Sequence, residues 1–419
     1  MPTRRVLVQL DNLELGGTQI NAVQISAAVA AHGYESLLIG PADTLPSGPS
    51  LIDVAAQYGV PLQAYDRPHA LLPAARAVEG YAREWRADVI HAFGTSERSA
   101  YWGAGLLGRR AIVRTIYEMS FDPRTHPSVP VVIGTGYLRD ELAGRPGGVT
   151  LISPPVDTVR DAPSTAAPAA FRQRWGLPAD AIVLVIVSRL SLDMKSRAVQ
   201  DAIGAVGRLA DPRLRLVVVG GGDAEERVRA WAAEVDGRLG WDAVVLTGPL
   251  SDPRPAYDAA DVVLGMGSSA ARGMAFGKPV IAMGEHGWSA IFREPEAAEI
   301  FRNSFWSPRS VPDAVGLLAG QIAELADDSA ERARLGDTAR EFAVENFDLA
   351  AMGSRLARVY DDALRRRSTR SWVGDLRTEG RILTAKVGRT TSRLTGGRYD
   401  GGRSAARLAW KRHLPDQEP

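Results

Sequence analysis

A chain of 419 residues is too long for one ordinary hydrophobic core and predicts two domains with extensions. Hydrophobic residues at 45% and charged residues at 24% describe a soluble globular protein and exclude a largely disordered chain or a polytopic membrane protein. With no cysteine, disulfides, zinc–thiolate centres and cysteine nucleophiles are excluded, and a formal net charge of +1 predicts no strongly polyanionic partner for the body.

The opening MPTRRVLVQLDN joins two arginines to an apolar run that Asp11 ends before a signal-peptide core or membrane span is complete. A cytoplasmic location is therefore expected. RRVLVQL reads as a strand, and GGTQINAVQISAAVAAHG follows with helical spacing and a glycine of C-cap type. ESLLIG is the next strand, LLPAARAVEGYAREWRA a helix, and DVIHAFG a strand ending in a turn, with AIVRTIYE and VPVVIGTG as two more strands. Repeated strand–helix units argue for a parallel sheet covered on both faces.

From VTLISPPVDTVRDAPSTAAPAAF, proline, alanine and serine thicken and periodicity fades, which marks an interdomain linker. A second series then runs through AIVLVIVSRL, LRLVVVGGG, DAVVLTG, ADVVLGMG and KPVIAMGE. The predicted organisation is a first domain over 1–158, a linker at 159–168, a second domain over 169–347, a helix within 348–367 and a tail over 368–419. Two such domains in series are expected to face each other across a cleft, with ligands at the carboxyl ends of the strands.

Charge separates body from tail. Residues 365–419 hold fourteen Lys or Arg against five Asp or Glu, about +9, so the body lies near −8. The tail carries Trp372, Trp410 and scattered aliphatics among its arginines, a mixture that suits an anionic membrane surface. A solvated tail explains the same composition, and no nucleic-acid module accompanies the charge.

The turns after the strands are the candidate sites. Gly16 and Gly17 let backbone amides at a helix start approach an anion, or form an ordinary strand-to-helix turn. Arg189 and Lys195, in VSRLSLDMKS, are cations just past a buried strand and suit a diphosphate, arginine as a bidentate fork and lysine as a point charge, although surface cations on a solvated loop account for them equally. Gly221 lies in the glycine triple of VVVGGGD. Gly267, Ser268 and Ser269 open a helix whose first amides suit a phosphate, although serine as a plain N-cap accounts for them equally. His91, at a strand end, suits acid–base chemistry, binding of a sugar hydroxyl or a structural role. Asp11, Glu118, Glu285 and His286 are similarly placed at strand ends, where a solvated loop residue is an equal reading of each.

Taken in order, VLVQLDNLELGGTQ, ADVIHAFG, VTLISPPVDT, FRQRWGLPADAIVLVIVSRLSLDMKS, RLRLVVVGGGDAEERV, VVLTGPLSD, YDAADVVLGMGSSAARGMAFGKPVIA and ENFDLAAMGSRLARVYDDAL resemble the retaining family 4 glycosyltransferases of the GT-B fold, over roughly residues 4–365. The resemblance implies an α/β protein of two Rossmann-like parallel-sheet domains, acceptor side first and donor-nucleotide side second, with a carboxyl-terminal helix crossing back. It implies a nucleotide-sugar co-substrate, no metal or other cofactor, and a glycan, lipid-linked or small-molecule acceptor. Gly16 and Gly17 match the loop near the donor phosphates and the acceptor, Arg189 and Lys195 the pair on the donor diphosphate, and the glycine triple the turn bordering the nucleotide base. Retention is usually explained by front-face attack, in which the leaving diphosphate helps to deprotonate the acceptor. Such activity belongs to envelope glycan, glycoconjugate or natural-product assembly, at the inner face of the cell membrane if the tail binds it.

Two departures stand out. The family's glutamate pair is missing: the first has no counterpart, and Arg272 occupies the place of the second, which contacts ribose. A guanidinium donates hydrogen bonds and cannot accept them. Phe93 stands where many relatives have a second histidine. Arg272 is accordingly expected to add a cation at the diphosphate, with Glu285 taking over a sugar or ribose contact, or to form a structural ion pair, or to mark a decayed donor site. A catalytically impaired binding or partner subunit and a nucleotide-sugar epimerase are the alternative functions.

Overall fold

The computed structural model describes residues 3–46, 48, 50–94, 97–104, 110–122, 124–191, 196–294, 296–366 and 375–380. Two compact units emerge, Ser153–Ala351 and Met1–Ile152 joined by the chain from Met352. The crossing points thus lie at 152/153 and 351/352 rather than at the predicted 158/159 and 347/348. The physical reason is contact. The proline-rich stretch after Ile152 is held by the second unit: Val156 N donates to Phe347 O at 2.8 Å, and Ser164 Oγ donates to Asp258 at 2.6 Å.

The first unit is built from strands β1 (Arg4–Gln9), β2 (Tyr34–Pro41), β3 (Leu62–Tyr65), β4 (Val89–Phe93), β5 (Ala111–Ile116), β6 (Val131–Ile133) and β7 (Val149–Leu151). Between them lie helices α1 (Gly17–Ala28), α2 (Leu51–Gln57), α3 (Leu71–Glu84), α4 (Glu97–Gly103) and α5 (Gly136–Glu141). The sheet runs β3-β2-β1-β4-β5-β6-β7, parallel throughout. VTLIS, assigned to the linker on composition, opens with β7; three residues on a sheet edge leave too short an apolar run to read from sequence.

The second unit contains α6 (Ala167–Arg174), β8 (Ile182–Val187), α7 (Ser196–Leu209), β9 (Leu214–Val219), α8 (Glu225–Leu239), β10 (Val244–Gly248), α9 (Arg254–Ala259), β11 (Val262–Gly265), α10 (Ser268–Ala275), β12 (Val280–Met283) and β13 (Ser289–Ile291). Helices α11 (Ala297–Arg302), α12 (Ala314–Asp327) and α13 (Ser329–Phe347) follow. Its order is β10-β9-β8-β11-β12-β13, parallel except for the last hairpin. Sandwiched strands must be apolar on both faces. IVLVIV of β8 does this literally: Leu184 and Ile186 join the core on one face of the sheet, Val183 and Val185 the core on the other. Each such side chain contributes about 1.5–3 kcal/mol on burial.

Helix α14 (Leu349–Arg365) leaves the second unit and packs on the first. Met352, Leu356 and Tyr360 are fully buried against the same core as Val6 and Val8. Gly353 permits the approach, since a Cβ there would lie 2.7 Å from the Ala28 Cβ. Beyond it, residues 375–380 form a helical turn held on the first unit by two buried carboxylates. Glu379 accepts from Arg98, from Trp102 Nε1 at 3.1 Å and is bonded to His126 Nε2 at 2.9 Å, while Asp375 accepts from Tyr101 at 2.9 Å and from Ser128. The part of the tail that was expected to act through its arginines therefore docks through its acids. Trp372, Trp410 and the remaining tail arginines lie outside the described residues. No helix among the described residues is long and apolar enough to cross a membrane.

Candidate functional site

In an open parallel sheet the strand order reverses at one point, and the loops on either side diverge to leave a crevice at the carboxyl ends of the strands. In the second unit that point lies between β8 and β11, because β8 is followed by β9 on one side while β11 neighbours it on the other. The loop after β8 begins with Ser188 and Arg189, and the loop after β11 is Met266–Gly267, leading into α10. Parallel pairing puts both loops at one edge of the sheet, together with the glycine turn after β9 and Glu285 after β12. Arg189 is exposed there. Lys195, predicted as its partner, lies outside the described residues.

The glycine triple has a local cause. Gly220 and Gly222 sit at φ +147° and +150°, and a Cβ on either would collide with the carbonyl oxygens of Ser188 and Leu190, respectively. Glycine is required where one backbone lies directly against another. With no side chain in the way, Leu190 N donates to Gly221 O at 3.0 Å, Ala224 N to Leu190 O at 2.9 Å, and Gly220 N to Gly248 O at 3.0 Å. The loops after β8, β9 and β10 are thereby fixed to one another by main-chain bonds. Beside them opens a cavity of about 260 Å³ lined by Leu190, Gly220, Leu246 and Thr247, with the Glu225–Arg229 ion pair at its rim.

Helix α10 is preceded by Gly267 as its N-cap, φ +55°, with no side-chain cap on its first amides. Ser269 instead closes the turn that precedes the helix, because its hydroxyl donates to Met266 O at 2.9 Å and accepts from Met266 N at 3.2 Å. The serines are thus not side-chain N-caps. Gly273 lets the helix lie tightly on β11, since a Cβ there would meet Val263 at 2.7 Å.

Arg272, one turn into α10, points to the segment that enters this unit. Its Nε donates to Asp161 Oδ2 at 2.9 Å, and the Asp161 side chain is only 4% exposed. Burial pushes the Asp161 carboxyl up, against the opposing pull of Arg272. Of the expected roles for Arg272, the ion pair is the one the geometry contains. Glu285 sits in the turn between β12 and β13, half-buried, with His286 exposed beside it.

In the first unit the order reverses between β1 and β4. Gly16 caps α1 in extended conformation and Gly17 begins it, so both stand on this edge, with Gly94 ending β4 opposite. Gly94, at φ +71°, makes room for the Asp11 carboxylate, which accepts from Gln19 Nε2 at 3.3 Å. Arg114 reaches the same place, donating to Gly94 O at 3.1 Å. Glu118 follows β5, its carboxyl raised by desolvation.

His91, expected to work at this edge, is corrected by the structure. It is fully buried, with Nδ1 bonded to Tyr360 Oη at 2.7 Å and Nε2 to Thr115 Oγ1 at 2.7 Å. Burial lowers its pKa to about 3. A neutral histidine with both ring nitrogens engaged and no solvent access has no face left for a substrate; it fastens α14 to β4 and β5. The sequence placed it at a strand end, whereas it is the middle residue of β4, and nothing local signalled Tyr360, 269 residues away. Asp161 and Arg114 were also missed as parts of these clusters, because their partners are distant in the chain.

Residues 181–328 match the family model described as glycosyl transferases group 1. That match lies within the second unit and spans less than half of the chain, and the two parallel sheets have the architecture of the GT-B fold. A D-inositol 3-phosphate glycosyltransferase of Thermobispora bispora is 32% identical over 236 residues, 53% of this chain and 52% of that protein; the chain thus matches about half the length of this curated relative. Among solved structures, a glycosyltransferase from Rickettsia africae superposes with a TM-score of 0.68 at 14% identity, covering 87% of this chain and 99% of that one. Alr3699/HepE of Anabaena, in complex with UDP-glucose, superposes with a TM-score of 0.65 at 20% identity, covering 85% and 99%.

Proposed function

We propose that this protein transfers a sugar from a nucleotide-sugar donor to an acceptor hydroxyl with retention of configuration. The observation that carries the reading is the edge of the second unit at its order reversal, where the exposed Arg189 and the uncapped start of α10 flank one crevice. Helix amides and a guanidinium are the donors that a diphosphate needs. The 260 Å³ cavity beside the glycine triple is of a size for a planar base, with Thr247 and the main chain to orient it. The Anabaena protein, which carries UDP-glucose, supports a nucleotide sugar as co-substrate.

In this reading the bond from the anomeric carbon to the diphosphate oxygen breaks as the bond to the acceptor oxygen forms on the same face. The acceptor proton passes to the departing diphosphate, whose growing charge Arg189 and the α10 amides stabilise. Glu285, at the end of β12, is the carboxylate for a sugar hydroxyl. The first unit carries Asp11 and the Gly16–Gly17 turn at the corresponding edge and takes the acceptor, a glycan, lipid-linked or small molecule. Envelope glycan, glycoconjugate or natural-product assembly is the setting for such an activity, and the basic tail suits anionic lipid. Incubation with nucleotide sugars and acceptors, followed by proton NMR of the anomeric signal, tests this: an α-linked donor should give an α-linked product. Inversion would refute the mechanism, donor conversion without acceptor would indicate an epimerase, and absence of donor binding a partner subunit.

A further inference from the structure

The strongest unassigned feature is the chain of polar contacts that starts at Arg272. Its guanidinium holds Asp161 at 2.9 Å. The main-chain oxygen of Asp161 accepts from Arg340 at 3.1 Å, and the same Arg340 guanidinium donates to Ala275 O, the last residue of α10, at 2.6 Å and to Thr158 O at 2.8 Å. Thr158 in turn donates to Asp348 at 2.6 Å, and Asp348 accepts from Ala351 N at 2.8 Å in the first turn of α14.

These partners include both segments by which the chain passes between units. Residues 153–161 enter the second unit and 347–351 leave it. The two segments are also tied to each other, Val156 N to Phe347 O at 2.8 Å and Leu349 N to Val156 O at 2.9 Å. Two arginines fasten this pair to α10: Arg272 from within the helix, and Arg340 of α13 at its end.

We propose that Arg272 is a positioning residue, which with Asp161 pins the paired crossing segments to the helix whose start seats the donor phosphates, so that occupancy of the seat and order in the crossing segments rise and fall together. The coupling rests on the donor reading given above; the pin itself does not. A buried carboxylate with one strong partner makes an effective pin, because losing the partner leaves a charge that cannot remain where it is. A glutamate at position 272 would repel Asp161, so the exchange of charge at this position and the buried acid in the entering segment explain each other.

The test is amide hydrogen exchange on the full chain, with and without UDP, ADP or GDP, for the wild type, Arg272→Gln, Asp161→Asn and the double variant. In the free protein, each single variant should exchange at least tenfold faster over residues 156–161, and the double variant no faster than the singles. Added nucleotide should protect both α10 and 156–161 in the wild type, but α10 alone in the variants. Unchanged exchange over 156–161 in both single variants would overturn the pin. A tenfold loss of nucleotide affinity in Arg272→Gln with none in Asp161→Asn would overturn it in favour of direct phosphate contact. Should Arg272→Gln fail to fold, Arg272→Lys keeps the charge and is expected to restore protection in part; no restoration counts against the pin. If no nucleotide binds the wild type, the coupling falls with the donor reading, while exchange in the free protein still decides the pin.

Discussion

His91, buried in the middle of β4, fastens two strands to α14. Its pKa of about 3 in the fold lies below the unfolded value of about 6.5, so the unfolded chain takes up a proton that the folded one refuses. The stability this neutral histidine contributes is complete above pH 6.5 and is lost as pH falls from there towards 3. Its share of the slope is about 1.4 kcal/mol per pH unit within that window. Denaturant unfolding between pH 4 and 7 should therefore show a shallower decline for His91→Gln than for the wild type; parallel curves would contradict the burial. Gly222 carries a second prediction at this scale. Alanine there meets the Leu190 carbonyl at a positive φ and should cost about 2–3 kcal/mol, read from the urea midpoint.

At the scale of elements, α10 depends on what it touches. Removing Arg272 leaves Asp161 buried without its ion-pair partner, a loss of about 3 kcal/mol, whereas Asp161→Asn keeps a hydrogen-bond acceptor and removes a carboxylate already disfavoured by burial. Thermal unfolding should rank Asp161→Asn above Arg272→Ala. The docked turn at 375–380 makes a similar claim: Glu379→Gln keeps the shape but weakens the contact to Arg98, and should raise proteolytic cleavage after Arg377 several-fold without unfolding the body. Neither contact was legible in the sequence. Apolar runs announced ten of the strands among the described residues and their parallel pairing, since a strand buried on both faces leaves a local signature. The three unannounced, β3, β7 and β13, have only three or four residues each and lie at or near sheet edges. Ion pairs such as Arg272–Asp161 bridge positions whose separation no local pattern encodes. The clue at Arg272 was its charge, which indicated an altered site without naming the partner.

At the scale of the whole molecule, the proposed donor site lies in the second unit where its strand order reverses. The order of the turns along the sequence pointed to that edge, and the sheet order determined which two loops flank it. Lys195 stands beyond the described residues, so Arg189 is the cation on which the claim is tested. Isothermal titration of a nucleotide-sugar panel into the wild type and Arg189→Ala is the most direct measurement. One donor class should bind the wild type and bind Arg189→Ala more weakly by about 1–3 kcal/mol, the worth of a charge-assisted hydrogen bond to phosphate. Binding to no member of the panel, or equal binding to both proteins, would contradict it.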